Sequence, residues 1–174
     1  MIHILVVDDD KNLNQTVCTY LNDCGFEAKG VLSANEAYDE MYNNLYELII
    51  SDIMMPEIDG FEFAETVRQV NKQIPILFMS AKDDLPSKRK GFLVGIDDYM
   101  VKPFHEKELA ARIFSALRRR ISAGAHTYYE AGNLKVDFTK RQVLLGGTEV
   151  HFSPVEYRII ESLALNSGTV VTYQ

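Results

Sequence analysis

The chain has 174 residues, 47% of them hydrophobic and 25% charged, with a net charge of −7. That is an ordinary globular mix, which excludes a disordered or fibrous protein, and no apolar run approaches the roughly 18 residues of a membrane span. Residues 1–120 carry 20 acidic against 14 basic side chains, and residues 121–174 carry 5 against 4. Neither part has the basic excess of a non-specific nucleic-acid binder.

The opening Met1-Ile2-His3-Ile4-Leu5-Val6-Val7 has no basic flank and meets acidic residues within one strand length, which reads against a secretory signal. It is the first of five short apolar runs, followed by Phe26–Val31, Leu48–Ser51, Ile74–Ser80 and Asp98–Val101. They recur at a regular interval with helical patterns between them, as in repeated βα units. Runs such as Ile4-Leu5-Val6-Val7 and Ile74-Pro75-Ile76-Leu77-Phe78-Met79 are apolar on both faces, as strands covered on both sides must be. Leu13, Val17, Tyr20, Leu21 and Cys24 share one face of the first helix, and Ser33 with Glu36 forms a capping box opening the second. Cys18 and Cys24 are expected to be buried thiols rather than a disulfide or metal pair. Pro86 delays the start of the fourth helix. The fifth runs from Glu106 to about Arg120, where Arg118, Arg119 and Arg120 complement its C-terminal dipole. The pattern predicts an α/β fold, a doubly wound five-stranded parallel sheet with right-handed crossovers.

After Ile121 the periodicity stops, and residues 122–128 read as a linker. Asn133–Phe138, Gln142–Leu145 and Glu149–Phe152 are expected to form three short antiparallel strands, with turns at Thr139-Lys140 and Gly146-Gly147. Ser153-Pro154-Val155-Glu156 then supplies an N-cap, a proline at the first helical position and a capping-box glutamate. That helix is expected to stop at Gly168, and the second domain, with its thin core, is expected to be incomplete at Gln174.

Polar residues stand where the parallel strands end: Asp8, Asp9 and Asp10 after the first, Asp52 at the third, Ser80 at the fourth, Lys102 just past the fifth. In such a sheet these ends converge on one edge, where ligands bind at the reversal of strand order. Carboxylates crowded there repel one another unless a cation sits among them. An oxygen-only donor set favours a hard ion such as magnesium. Asp10 is better read as a solvated loop residue. A carboxylate beside such an ion can act as a nucleophile toward phosphorus. Lys102 and the Ser80 hydroxyl would then contact the phosphoryl oxygens. The tight Met54–Gly60 loop would bring a backbone carbonyl to the metal, and Lys102-Pro103 is a candidate cis peptide. The isolated His3, His105, His126 and His151 are given no catalytic role.

Val6-Val7-Asp8-Asp9-Asp10, the run from Asp52 through Met54-Met55-Pro56 to Asp59-Gly60, Met79-Ser80-Ala81-Lys82 and Asp97-Asp98-Tyr99-Met100-Val101-Lys102-Pro103-Phe104 resemble the receiver domain of two-component response regulators. The resemblance implies a flavodoxin-like receiver over 1–121, with strand order 2-1-3-4-5. It implies that Asp52 accepts a phosphoryl group from a sensor histidine kinase and that Mg2+ is held by Asp8, Asp9, Asp52 and the Met54 carbonyl. Ser80 and Tyr99 would be switch residues, Tyr99 turning inward on phosphorylation. Residues 129–174 resemble the start of the winged-helix DNA-binding domain of the OmpR/PhoB family. The recognition helix and wing are expected to be absent, so promoter DNA is expected for the full-length protein and not for this chain. The resemblance further implies a cytoplasmic transcription regulator with no membrane partner. Its homodimer would form through the fourth helix, fifth strand and fifth helix. There Lys88 would pair with Glu108, Asp98 with Arg112 and Asp97 with Arg119 across a two-fold, around Phe92 and Ala110, while Phe114 and Pro86 depart from the family's pattern.

Two other classes compete. A magnesium-dependent phosphatase with an aspartyl nucleophile needs a second Asp as general acid where this chain has Met54. A flavodoxin-like electron carrier needs a first loop that welcomes phosphate, and Asp8-Asp9-Asp10 repels it. The chain is expected not to be an enzyme beyond phosphorylation and dephosphorylation of Asp52 itself.

Overall fold

The computed structural model describes residues 2–122, 128–138, 140–165 and 167, with the side chains of residues 120–122 excepted. Most of the expected linker, Thr139 of the expected turn, the Gly168 helix stop and the chain end lie outside the described residues. The chain divides into two compact units, Met1–Arg120 and Ile121–Gln174.

In the first unit, five strands alternate with five helices in chain order: β1 (His3–Val7), α1 (Lys11–Asp23), β2 (Glu27–Val31), α2 (Ala34–Asn43), β3 (Leu48–Asp52), α3 (Gly60–Val70), β4 (Ile76–Ser80), α4 (Leu85–Val94), β5 (Asp98–Val101) and α5 (Glu106–Ser122). All pairings are parallel and the order is β2-β1-β3-β4-β5. Alternation along each strand feeds two cores. Leu5, Val7, Ile49, Ile76 and Phe78 pack with Ala37, Phe63 and Val67 of α2 and α3. Ile4, Val6, Leu48, Ile50, Leu77 and Met79 pack with Val17, Leu21, Leu109 and Ile113 of α1 and α5. Both faces are covered, as the unbroken apolar runs required.

Local chemistry sets the helix starts. Asp10 caps α1, accepting from the Asn12 and Leu13 N–H groups at 3.0 and 3.1 Å. The Ser33 hydroxyl accepts from Glu36 N–H, while the Glu36 carboxylate reaches back to Leu32 N–H rather than to Ser33. Asp84 caps α4, which takes Pro86 into its first turn, where a missing N–H costs nothing. Cys18 is half-buried but Cys24 is exposed, which corrects the expectation of two buried thiols. Cys24 is the C-cap of α1, past the last turn that faces the sheet.

Among its described residues the second unit holds four antiparallel strands rather than three: β6 (Tyr128–Ala131), β7 (Leu134–Asp137), β8 (Gln142–Leu145) and β9 (Thr148–Val150), in the order β6-β7-β8-β9. The additional strand is β6, which pairs with β7 across a turn at Gly132-Asn133. Gly146 and Gly147 both take positive φ, 60° and 85°, the conformation a two-residue hairpin turn demands. Helix α6 (Pro154–Leu165) opens with a reciprocal capping box: Ser153 N–H donates to the Glu156 carboxylate at 2.8 Å, and Glu156 N–H donates to the Ser153 hydroxyl at 3.4 Å. Antiparallel strands followed by a capped helix are consistent with a winged-helix start.

Candidate functional site

The register Val7 opposite Ser51, Asp52 opposite Met79 and Ser80 opposite Val101 sets four strand ends at one level. Asp8, Asp52, Ser80 and Lys102 therefore meet at the edge beside β1 and β3, where the chain order reverses. Asp8 and Ser80 are fully buried and Asp52 is 6% exposed. Behind Asp52 the start of α3 packs so closely that a Cβ on Gly60 would lie 2.3 Å from the Asp52 carbonyl oxygen. Only glycine lets that helix approach.

Lys102 Nζ donates to Asp8 Oδ2 at 2.7 Å and to Asp52 Oδ2 at 2.9 Å. The remaining carboxylate oxygens are held by backbone. Asp8 Oδ1 accepts from Asp10 N–H at 2.9 Å, and Asp52 Oδ1 accepts from Ile53 and Met54 N–H at 2.7 and 3.3 Å. Burial pushes the Asp8 carboxyl above its ordinary value, outweighing the hydrogen bonds from Lys102 and Asp10. Burial also works against the Lys102 ammonium, but its hydrogen bonds to Asp8 and Asp52 more than compensate and its pKa is raised. The Lys102–Pro103 peptide is cis.

Oxygens of Asp8, Asp9 and Asp52 all lie within 4.8 Å of one another. Among the described residues no other group of three His, Cys, Asp or Glu side chains converges in this way. Three carboxylates face one ammonium, and the donors are oxygens only, so the residues present fit a hard divalent cation. Asp10 stands outside the group as the cap of α1.

The Ser80 hydroxyl accepts from Lys82 N–H at 3.3 Å. Tyr99 already lies inward, 7% exposed, its hydroxyl donating to the Lys82 carbonyl at 2.7 Å and its ring edge-on to Phe78.

On α4, β5 and α5 the charges pair within the chain. Arg112 donates to Asp98 at 2.8 Å and, through Nε and Nη2, to one Glu108 oxygen at 3.0 and 2.8 Å. Lys88 pairs with Asp83 and lies 5.9 Å from the Tyr99 ring centre. The Asp97 carboxylate is engaged by Arg68 of α3 at 3.1 Å and by Ile76 N–H at 2.9 Å. Arg119 reaches the Asp97 and Ser115 carbonyls, each at 3.4 Å, and not the Asp97 carboxylate. Phe92 is half-exposed on this surface, and the Phe114 ring lies tilted against Phe26, centroids 5.4 Å apart.

Sequence reasoning passed over two polar residues. Arg68 also binds the Asn71, Ile74 and Gly95 carbonyls. Asn14 is buried below the acidic loop. Its signal was its spacing, three and seven residues before the buried Val17 and Leu21 on the same helix face.

The family model for the response regulator receiver domain matches residues 4–114. The chain belongs to the response-regulator family. This response regulator is 36% identical over 168 residues to the transcriptional regulatory protein BasR of Escherichia coli K12, covering 97% of the chain and 75% of BasR. It superposes on the OmpR/PhoB homolog DrrB of Thermotoga maritima with a TM-score of 0.62 at 31% identity, covering 99% of the chain and 76% of DrrB. The chemotaxis protein CheY4 of Vibrio cholerae matches 67% of the chain over 98% of its own length, with a TM-score of 0.65 and 32% identity. The first unit is therefore a flavodoxin-like receiver, and among the relatives BasR is a transcriptional regulatory protein and DrrB a response regulator. The phosphatase and electron-carrier readings are set aside. No helix among the described residues is long and apolar enough to cross a membrane.

Proposed function

We propose that Asp52 is the phosphoacceptor of this response regulator, charged by a sensor histidine kinase. Asp8, Asp9, Asp52 and the Met54 carbonyl would hold Mg2+. The observation that carries the reading is the Lys102 ammonium bridging Asp8 and Asp52 at 2.7 and 2.9 Å, beside Asp9, at one sheet edge. A carboxylate oxygen of Asp52 forms the new O–P bond as the P–N bond to the kinase histidine breaks, its electron pair passing to the imidazole nitrogen. When bound, magnesium would supply charge neutralisation at the transferring phosphoryl oxygens. The chain's own residues supply position. Ile53 and Met54 N–H groups fix one Asp52 oxygen, and Lys102 holds the other while presenting its ammonium. The Ser80 hydroxyl, which here accepts from Lys82 N–H, keeps its own proton to donate to a phosphoryl oxygen. Its turn toward that oxygen would leave Tyr99 in the inward position it already holds. The chemistry is confined to gain and loss of this one phosphoryl group.

We place the receiver at 1–121, the linker at 122–128 and a partial DNA-binding domain at 129–174, in a cytoplasmic regulator. Output would run through a two-fold dimer on α4, β5 and α5, with Lys88, Phe92, Asp97, Asp98, Glu108, Arg112 and Arg119 at the interface. Self-complementary pairs occur twice in such a dimer. Arg112 and Asp98 would exchange a partner in the same chain for the same partner across the axis, a near-neutral swap that suits a weak, switchable association. Intact-mass measurement after treatment with acetyl phosphate and Mg2+ should show one added phosphate, lost on chelation and in Asp52→Ala. An undiminished adduct in Asp52→Ala would overturn the assignment.

A further inference from the structure

Among the described residues of the first unit, the buried polar ones are Asp8, Asn14, Ser51, Asp52 and Ser80. Three of them belong to the site. Asn14 does not, yet it lies in α1 directly below the loop that carries Asp8 and Asp9.

A buried amide left unpaired is costly, and this one is fully engaged. Asn14 Nδ2 donates to the carbonyls of Val31 at 2.8 Å, Asp8 at 3.2 Å and Val6 at 3.3 Å. Two N–H bonds thus serve three acceptors, one of them shared. On the other side Asn14 Oδ1 accepts from the Cys18 thiol at 3.6 Å. Burial pushes that thiol up, so it stays protonated and able to donate. These contacts fix which way the amide faces, since the reverse orientation would set Oδ1 against three carbonyl oxygens.

Room for the amide comes from β2. A Cβ on Gly30 would lie 1.9 Å from Asn14 Oδ1 and 3.1 Å from Cys18 Sγ. The Gly30 backbone is not left-handed, so glycine is required there for close approach and not for its φ.

The consequence falls on Asp8. Its N–H donates to the Val31 carbonyl at 3.2 Å, and its own carbonyl accepts from Asn14, so both backbone polar groups are held from below. Its carboxylate is held from above by Asp10 N–H and Lys102. Asp9 is suspended between this pinned residue and Asp10, the cap of α1.

We propose that Asn14, clamped between Gly30 and Cys18, is a positioning residue for the cation site, fixing the Asp8 backbone so that the Asp8 and Asp9 carboxylates face Asp52. The inference rests on reading Asp8 and Asp9 as cation ligands. Groups that orient metal ligands without touching the metal typically set affinity by 10- to 100-fold. Asn14 does so through the main chain of the ligand.

Isothermal titration of the 174-residue chain with Mg2+ alone, at neutral pH, tests it. Asn14→Ala and Gly30→Ala should each weaken binding by about tenfold. Gly30→Ala should add little in the Asn14→Ala background, because the Oδ1 it strikes at 1.9 Å is gone and only the 3.1 Å approach to Cys18 Sγ remains, so the two changes are strongly non-additive. Cys18→Ser, which keeps a donor, should retain the parent affinity. Should Asn14→Ala not fold, Gly30→Ala, which displaces the Asn14 amide, and Cys18→Ser, which leaves it room, carry the comparison. A purely structural Asn14 would lower the unfolding midpoint while folded variants bound Mg2+ as tightly as the parent, and that result overturns the inference alone. If the parent chain itself does not bind Mg2+, the cation reading and this inference fall together.

Discussion

Every residue of β3 and β4 is buried, whereas every residue of β9 is exposed. The first unit covers its parallel sheet with helices on both faces, and that burial reaches the strand ends, where Asp8, Asp52 and Ser80 sit out of water. The second unit buries, among its described hydrophobic residues, only Val136, Val143 and Tyr157, while Leu145, Ile159 and Leu163 stay largely exposed. The contrast shows where charge can be made to matter. An ammonium between two desolvated carboxylates interacts far more strongly than the solvated pair Lys135–Glu130 on the second sheet.

The contrast can be broken most forcefully at its core. Phe78→Ala should cost the first unit about 3–5 kcal/mol in urea unfolding, since the ring is fully buried and packs against Phe61 and Tyr99. Leu163→Ala, at a 54% exposed position of α6, should change stability by no more than about 0.5 kcal/mol. Equal losses at the two positions would contradict the difference in packing.

The next effect has the opposite sign. The Asp8 carboxyl is raised above its ordinary value by burial, so its neutral form is the one the fold prefers. Its contribution to stability is full below pH 3.8 and is lost as pH rises through the raised value. Asp8→Asn should therefore stabilise the chain at pH 7, by about 1 kcal/mol, while weakening Mg2+ binding. Urea midpoints at pH 7 and a magnesium titration read the two consequences separately.

Glu40 gives the reverse case on the same unit. Burial raises its carboxyl, but the Tyr46 hydroxyl, Lys29 and Asn44 together hold it below the ordinary value of 4.5. Its contribution is present above about that pH and is lost as pH falls through the lowered value. Tyr46→Phe removes a 2.8 Å hydrogen bond to Glu40. It should cost about 0.5–1 kcal/mol at pH 7 and flatten the fall in stability measured between neutral and acid pH.

The smallest effect belongs to the second unit. Ser153→Ala opens the capping box of α6 and should reduce far-ultraviolet helicity slightly, with no change in the unfolding of the receiver. A loss of receiver stability in that variant would show the two units to be energetically coupled.

The parts legible from sequence share a cause. Runs such as Ile4-Leu5-Val6-Val7 are apolar on both faces only because the sheet is covered twice, and an acidic or basic residue ending such a run has to sit at the strand edge. That is why Asp8, Asp52, Ser80 and Lys102 could be assembled before any geometry was known. β6 was missed because Tyr128-Tyr129-Glu130-Ala131 is short, half-polar and adjacent to small residues that resemble a linker. Asn14 was missed because a polar residue in a helix normally faces water, and its partners are carbonyls that no pattern reveals. The pairing of Asp97 with Arg68 was equally hidden, since 29 residues separate them and only the fold joins the end of α3 to β5. Tyr99 could be placed on its strand, but its rotamer depends on the Lys82 carbonyl, which is a fact of three dimensions.

The central claim is that of the two desolvated carboxylates held by Lys102 it is Asp52, and not Asp8 or the neighbouring Asp9, that takes the phosphoryl group. Borohydride reduction after treatment with acetyl phosphate and Mg2+ converts an acyl phosphate to the corresponding alcohol, so that a phosphorylated aspartate is read in peptide sequencing as homoserine. Homoserine at position 52, with Asp8 and Asp9 unmodified, is the result the structure predicts. Homoserine at position 8 or 9, or an acid-stable phosphate that resists reduction, would contradict it.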